Sequence, residues 1–385
     1  MNFNVRRARV LSLVIGVVGI IACALGALAT PGSFFSAWLI AYLFWAGIAL
    51  GSLSLILLHH LVGGNWGFVS RRVMEAATRT MPLLAVLLIP ILFGIPQLYP
   101  WAAPEAARIE VLRQKAGYLN VPFFIGRLAA YFVLWFFLTW ILNKWSTEQD
   151  ETANPAYIRR FRFLSGPALI IHCYAVTFLA FDLLMSLQPE WYSTIFGAII
   201  LIGQVLSALA LCIACLMLLQ DREPLAGFLN VSHFHDLGNL LFAFVIFWAY
   251  ISVSQLIIMW SGNLPEEVTF YVRRSNNGWQ YVTIFLALFH FVVPFLILLN
   301  RFVKRRAQLL AAVAIGIALM RLLDLYWIVQ PALVWKNQWI SWLDIVAPIA
   351  IGGLWLGFFF WQLERKPLLP LGDVRFVPAA EAPHA

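Results

Sequence analysis

The sequence predicts an all-α polytopic membrane protein of about ten transmembrane helices. Three observations carry that reading. Of its 385 residues 62% are apolar and only 11% charged, roughly half the charged share of a soluble domain, and mean hydropathy is +0.84. The apolar residues fall in runs near 20 long, the length a helix needs to cross the hydrocarbon core. The net charge of +8 sits in the short loops between those runs, which is a topogenic pattern and excludes a nucleic-acid-binding face.

On that ruler the spans lie near 10–30, 35–61, 82–99, 121–143, 164–187, 193–219, 236–261, 279–300, 307–329 and 341–362, within one integral membrane domain of residues 1–385. Lipid cannot satisfy a bare backbone, so each run must be a helix. Pro31-Gly32 closes the first and Gly63-Gly64-Asn65 follows the second. Pro100 ends the third, Gln188-Pro189 divides the fifth from the sixth, and Gln330-Pro331 closes the ninth. The first run is long enough to remain as a helix, and no secretory cleavage site follows it. Cys23, Cys173, Cys212 and Cys215 all lie inside apolar runs. Cys212 and Cys215 form a C-x-x-C without polar company, which reads as small apolar filler rather than a redox pair.

Orientation follows from the cations. Arg6, Arg7, Arg9, Arg71, Arg72, Arg79, Lys144, Arg159, Arg160, Arg162, Arg222, Arg301, Lys304, Arg305, Arg306, Arg365, Lys366 and Arg375 fall on one side. Arg108, Arg113, Lys115, Arg273, Arg274 and Lys336 fall on the other. The larger set marks the cytoplasm, so both termini, including a short tail at 363–385, are expected there. Arg71, Glu75 and Arg79 recur every four residues and align opposite charges on a short interfacial helix; the same residues also read as a solvated anchor. The outer loop SGNLPEEVTFYVRRSNNGW is either a lid or a docking surface.

Ionisable residues at membrane depth are costly and point to function. At 1.5 Å per residue they sort into layers. His59, His60, His233, His235 and Asp236 lie near the cytoplasmic face, and His172, His290 and Gln204 at mid-depth. Arg127, Asp182, Arg321, Asp324 and Asp344 lie toward the outer face. Such a ladder is what a proton route requires: entry at His60 and Asp236, crossing by His172, His290 and Gln204, exit through Asp182, Arg127, Asp324 and Arg321. Structural readings stand beside it. Arg321 and Asp324 are three apart on one helix face and can neutralise each other, and Asp182 can pair with Arg127 on the neighbouring helix. His59 and His60 also read as ordinary boundary residues, and a hydrogen bond would satisfy either mid-membrane histidine. His172 with His290 is the one conceivable haem pair.

Three segments carry a family resemblance. FDLLMSLQPEWYSTIFGAIILIGQ (181–204) resembles the junction of helices 5 and 6 in NrfD/PsrC-type integral membrane subunits. HFHDLGNLLFAFVIFWAYISVSQLIIMWSGNLPEE (233–267) and GGNWGFVSRRVMEAATRTMP (63–82) are similar to the ActF-type subunit of bacterial alternative complex III. The resemblance covers helices 2–8 and implies two four-helix bundles, helices 2–5 and 6–9, with helices 1 and 10 peripheral. It implies a subunit of a quinol-oxidising respiratory complex in the bacterial inner membrane that couples electron transfer to proton translocation and is not catalytic alone. The partners it implies are a larger NrfD-like paralogue, an iron–sulfur subunit, haem c subunits and a terminal oxidase. The iron–sulfur clusters and haem c would reside on partners, and this chain has no ligand pattern for a metal or haem c. For a quinone, Asp182 with Arg127 is the cluster the sequence offers. Two alternatives stand: the quinol-binding anchor of a polysulfide-reductase-type molybdoenzyme, and a secondary transporter, for which Pro90 and Pro294 would mark broken helices. A purely structural scaffold is the flattest reading.

Overall fold

The computed structural model describes residues 3–336 and 340–373. The side chain of Lys336, and Arg375 with the rest of the tail beyond residue 373, lie outside the described residues. Among the described residues the chain is all-helical, without a strand. Nine helices are long and apolar enough to cross a membrane, ten if one bent pair makes a single crossing.

The first helix, α1 (Val5–Ala29), starts where the Asn4 side chain accepts a hydrogen bond from the Arg7 backbone N–H at 3.0 Å, satisfying one of the donors a helix start leaves bare. Its small residues Gly16, Gly19, Cys23 and Gly26 form one buried stripe, while Val14, Val18, Ile21 and Leu25 are exposed. That stripe meets the last helix, α12 (Leu343–Leu363). A Cβ on Gly16 would stand 2.5 Å from the Leu354 nitrogen and one on Gly19 2.7 Å from the Ala350 Cβ. Small residues let backbones approach, and in lipid that dispersion contact replaces a hydrophobic driving force. Arg9 pairs with Glu364, so the start of α1 and the end of α12 share one end of the molecule.

Two helices form the axis, α2 (Pro31–Val62) and α7 (Phe196–Leu219), both apolar on every side and mostly buried. They cross at Gly47 and Gly51, a G-x-x-x-G pair. A Cβ on Gly51 would lie 2.1 Å from the Gln204 carbonyl oxygen, and one on Gly47 3.2 Å from the Gln204 Cγ. Around this axis stand α5 (Val121–Thr152) and α6 (Ala156–Leu183) in the first half. In the second half stand α8 (Val231–Gly262), α10 (Trp279–Leu299) and α11 (Ala307–Val329).

The region of the expected third span departs from a straight rod. Helix α3 (Asn65–Thr78) meets α4 (Met81–Phe93) at a 44° bend. α4 stops at Gly94, ahead of Pro96. Its 13 residues reach about 20 Å at 1.5 Å each, short of a roughly 30 Å core, and the turn Ile95–Leu98 continues from it. α3 is also not solvated. Arg71, Arg72 and Glu75 are each at least 98% buried, because the end of α5 covers them: Arg71 donates to Gln149 Oε1 at 3.0 Å, Arg72 pairs with Asp150, and Ser146 donates to Glu75 Oε1 at 2.7 Å. The expected 71–75–79 ladder is present, with Glu75 at 2.9 Å from Arg71 and 3.6 Å from Arg79.

α10 widens into π turns over Ala287–Val292. Pro294 follows directly; it lacks an N–H and its ring crowds the carbonyl four residues back, that of His290, so the chain closes a longer turn. The outer loop folds as a short helix, α9 (Pro265–Arg274), with Glu266 and Glu267 in its first turn and Arg273 and Arg274 in its last, as the helix dipole favours. Arg274 is buried and donates to the Trp327 carbonyl at 3.0 Å and to the Ile328 carbonyl. Those are orphan carbonyls at the end of α11, so α9 is pinned over that helix end.

Candidate functional site

The buried polar residues separate into two sets. In the first half Arg127 of α5 and Asp182 of α6 form an ion pair with three contacts, Nε to both carboxylate oxygens at 3.1 Å and Nη2 to Oδ1 at 2.8 Å. Tyr131 donates to Asp182 Oδ2 at 2.9 Å, and Arg127 Nη1 donates to the Tyr118 carbonyl at 2.8 Å. The guanidinium also lies over the Tyr118 ring, 3.7 Å from its centroid. Such saturation makes the pair a clamp between α5, α6 and the segment before α5. The tyrosines were not among the sequence-predicted residues, although Tyr131 falls four residues after Arg127 on the same helix face.

His172 is equally well held. Trp135 donates its indole N–H to His172 Nδ1 at 3.1 Å, and His172 Nε2 is 2.9 Å from Ser54 Oγ. With Nδ1 accepting, the ring is the neutral Nε2–H tautomer, assigned from the network, and the Ser54 hydroxyl donates its own hydrogen bond to the Leu50 carbonyl. Neither nitrogen is left for a metal. His60 stacks on Phe161 at 4.2 Å. His233 caps the start of α8, accepting from the Asn230 N–H while Asn230 Oδ1 accepts from the His233 N–H, a capping-box exchange. Asp236 has a side chain 41% exposed, 4.0 Å from His235.

The second half is built differently. Arg321 and Asp324 of α11 pair with each other, three residues apart. Arg321 fits because residue 203 is glycine: a Cβ there would lie 2.3 Å from the Arg321 Cζ. Gln204, 96% buried, borders a small void with Arg321 and Ser207, and its Oε1 has no hydrogen-bond partner among the described residues. His290 is fully buried on the π turn and stacks on Trp248 of α8 with centroids 4.0 Å apart; neither of its ring nitrogens has a described hydrogen-bond partner. His172 and His290 share no neighbour in these contacts, so the structure does not bring together the pair a haem would need. Asp344 is satisfied apart from both sets, by the Ser341 N–H at 2.8 Å and by Gln330 at 3.2 Å.

Asp324 also faces a cavity of about 190 Å³ enclosed by α7, α8, α9, α10 and α11. Its wall is mainly aromatic and aliphatic, with Trp248, Ser252, Gln255, Tyr271, Thr283 and Asp324 as the polar members. Gln255 and Thr283 are engaged, with Ser193 and Tyr271 and with the Trp327 indole respectively. The Trp248 N–H and the Ser252 hydroxyl have no described partner. The cavity therefore offers two unclaimed donors and one carboxylate within an apolar shell, the makeup of a small-molecule site. Trp248, Ser252 and Gln255 are spaced i, i+4, i+7 on α8, a polar-edged stripe that the sequence shows but the layer sorting passed over. Among the described residues no group of three His, Cys, Asp or Glu side chains could hold a metal ion.

No protein-family model matches this chain, and no curated protein matches it.

Proposed function

We propose that this chain is a membrane subunit of a quinol-oxidising respiratory complex of the alternative complex III kind, coupling electron transfer to proton movement. The observation that carries the reading is the apolar cavity lined by Asp324, Trp248 and Ser252, beside the fully buried His290. A quinol brings two hydroxyls on a flat apolar ring. One donates to the Asp324 carboxylate, and the other accepts from the Trp248 and Ser252 donors. Oxidation releases two electrons and two protons. The electrons leave to the iron–sulfur and haem c groups of partner subunits; Asp324 takes one proton, and His290, stacked on the lining residue Trp248, is the candidate acceptor for the other. In this reading the quinone contact moves from Asp182 and Arg127, whose hydrogen bonds are already spent on each other, to Asp324.

The finer architecture belongs to the same proposal. The helices form ten crossings, with α3 and α4 serving as one. They make two four-helix bundles, α2 to α6 and α7 to α11 with α9 as a lid, and α1 and α12 lie outside them. Both termini face the cytoplasm of a bacterial inner membrane, as the excess of Lys and Arg on that side supports.

The test uses the assembled complex in liposomes, with Asp324→Asn and, separately, the cavity-filling Ala249→Phe. Quinol oxidation and the proton release it drives should slow in both while haem content is unchanged. An assembled Asp324→Asn complex with wild-type proton stoichiometry and rate would end the proposal.

A further inference from the structure

A second feature is unrelated to the cavity and does not depend on the redox reading. At the end of the molecule where α5, α12 and the α3–α4 bend meet, a groove of about 640 Å³ is lined by Arg79, Lys144, Arg365 and Lys366. Among the described residues no acidic side chain lines it. Arg79 Nε donates to Asn143 Oδ1 at 2.7 Å and Lys366 Nζ is 3.4 Å from the Asn143 carbonyl, while Glu75 and Glu148, outside the lining, stand 3.6 Å from Arg79 and 3.9 Å from Lys144. Lys144 and Arg365 extend over Trp140 and Trp361, 5.3 and 4.7 Å from the ring centroids.

Below the cations the groove is apolar. Phe136 and Trp140 form its wall, and Val133 and Phe137 continue that exposed strip of α5 toward the membrane interior. Charge at one end and an open apolar track at the other match a molecule with an anionic head and hydrocarbon tails. A soluble phosphate would use the cations and leave the track bare.

We propose that this groove is a binding site for one anionic phospholipid, its phosphate among Lys144, Arg365 and Lys366 and an acyl chain along Phe136 and Trp140. Lys366 supports the assignment. Burial, reinforced by Arg79 and Arg72 and opposed by Glu75 and Asp150, lowers its ammonium to about 8. Arg79 and Asp150 are already committed to Asn143 and Arg72, which leaves the exposed Lys144 and Arg365 as the adjustable part. Basic pockets between helices at the cytoplasmic face are a recurrent way of holding acidic headgroups, worth about 1 kcal/mol per cation.

The full chain, reconstituted in phosphatidylcholine nanodiscs doped with phosphatidylglycerol, is released into the gas phase and its retained lipids weighed by native mass spectrometry. Wild type should retain phosphatidylglycerol over phosphatidylcholine of the same chains. Lys144→Gln with Arg365→Gln should lower that preference at least fivefold, the equivalent of about 1 kcal/mol. Arg113→Gln, an exposed cation outside the groove, should leave it unchanged. Lys366→Gln is the second probe and should act in the same direction. Equal loss with Arg113→Gln would mean a diffuse charge effect and overturn the site, as would an unchanged preference in the double variant. Displacement of the lipid by glycerol phosphate at equal concentration would also overturn it, since the apolar track would then contribute nothing.

Discussion

The two halves of the molecule spend their buried polar groups in opposite ways. In the first half the mid-membrane carboxylate and imidazole are closed off: Asp182 takes Arg127 and Tyr131, and His172 takes Trp135 and Ser54. In the second, Asp324 has Arg321 but also faces a cavity, while His290, Trp248 and Ser252 keep nitrogen or oxygen atoms without a described partner. A buried polar atom without a partner costs about 1–3 kcal/mol. The fold saturates Asp182 and His172, whereas Trp248 and Ser252 keep their donors at a cavity wall shared with Asp324. The lesson is that an ionisable residue at membrane depth is only a starting point; whether its bonding capacity is exhausted separates a clamp from a site.

The comparison breaks most visibly if the clamp is not a clamp. Asp182→Ala strands the Arg127 guanidinium in a buried position and should cost about 3–5 kcal/mol, read as loss of the folded chain in detergent thermal unfolding. Replacing both partners together, Arg127→Leu with Asp182→Leu, should recover most of that loss. If the double variant is as unstable as the single, the pair does more than neutralise itself.

Next in size is the seam between the halves. Gly51→Ala places a Cβ against the Gln204 carbonyl, where only 2.1 Å is open. Backbone on both sides cannot yield as a flexible side chain would, so a loss of about 1–3 kcal/mol is expected. Gly203→Ala meets the mobile end of Arg321 instead and should be milder, although it displaces the residue that holds Asp324.

The histidines sharpen the contrast further. His172→Phe leaves the Trp135 N–H without its acceptor and should destabilise by about 1–3 kcal/mol. His290→Phe removes no described hydrogen bond and keeps a ring to stack on Trp248, so its unfolding temperature should stay near wild type. Equal destabilisation by the two would erase the distinction.

The buried Arg71–Arg72–Glu75 cluster extends the comparison to a neutral replacement. Glu75→Gln keeps the shape but leaves two buried guanidinia without the carboxylate they share, and thermal unfolding should show a loss of up to about 3–5 kcal/mol; wild-type stability in this variant would contradict the assignment.

Much of the fold was legible because hydropathy and loop charge act locally. Nine of the ten expected spans fall on long helices, and the exception, 82–99, fails where Pro90, Gly94 and Pro96 crowd one short helix. Both ion pairs weighed from the sequence, Arg127 with Asp182 and Arg321 with Asp324, are formed. The burial of α3 was not legible, since nothing in 65–78 reveals that Ser146, Gln149 and Asp150 will cover it. The cavity was hidden for the same reason: five helices enclose it, and its one local trace is the Trp248–Ser252–Gln255 stripe. The sequence offered Asp182 as the quinone contact because type and depth are readable, while the spent state of its hydrogen bonds is a property of Tyr131 and Arg127 in space.

The most direct test sets the two carboxylates against each other in one assay, quinol oxidation by the assembled complex at saturating acceptor. Asp324→Asn should lower the rate about 100-fold or more, the usual contribution of a positioned proton acceptor, while Arg127→Leu with Asp182→Leu should stay within about twofold of wild type, as a pair exchanged whole for apolar residues permits. A fast Asp324→Asn complex beside a slow Arg127→Leu, Asp182→Leu complex, both with full haem content, would contradict the account and return the site to the first half.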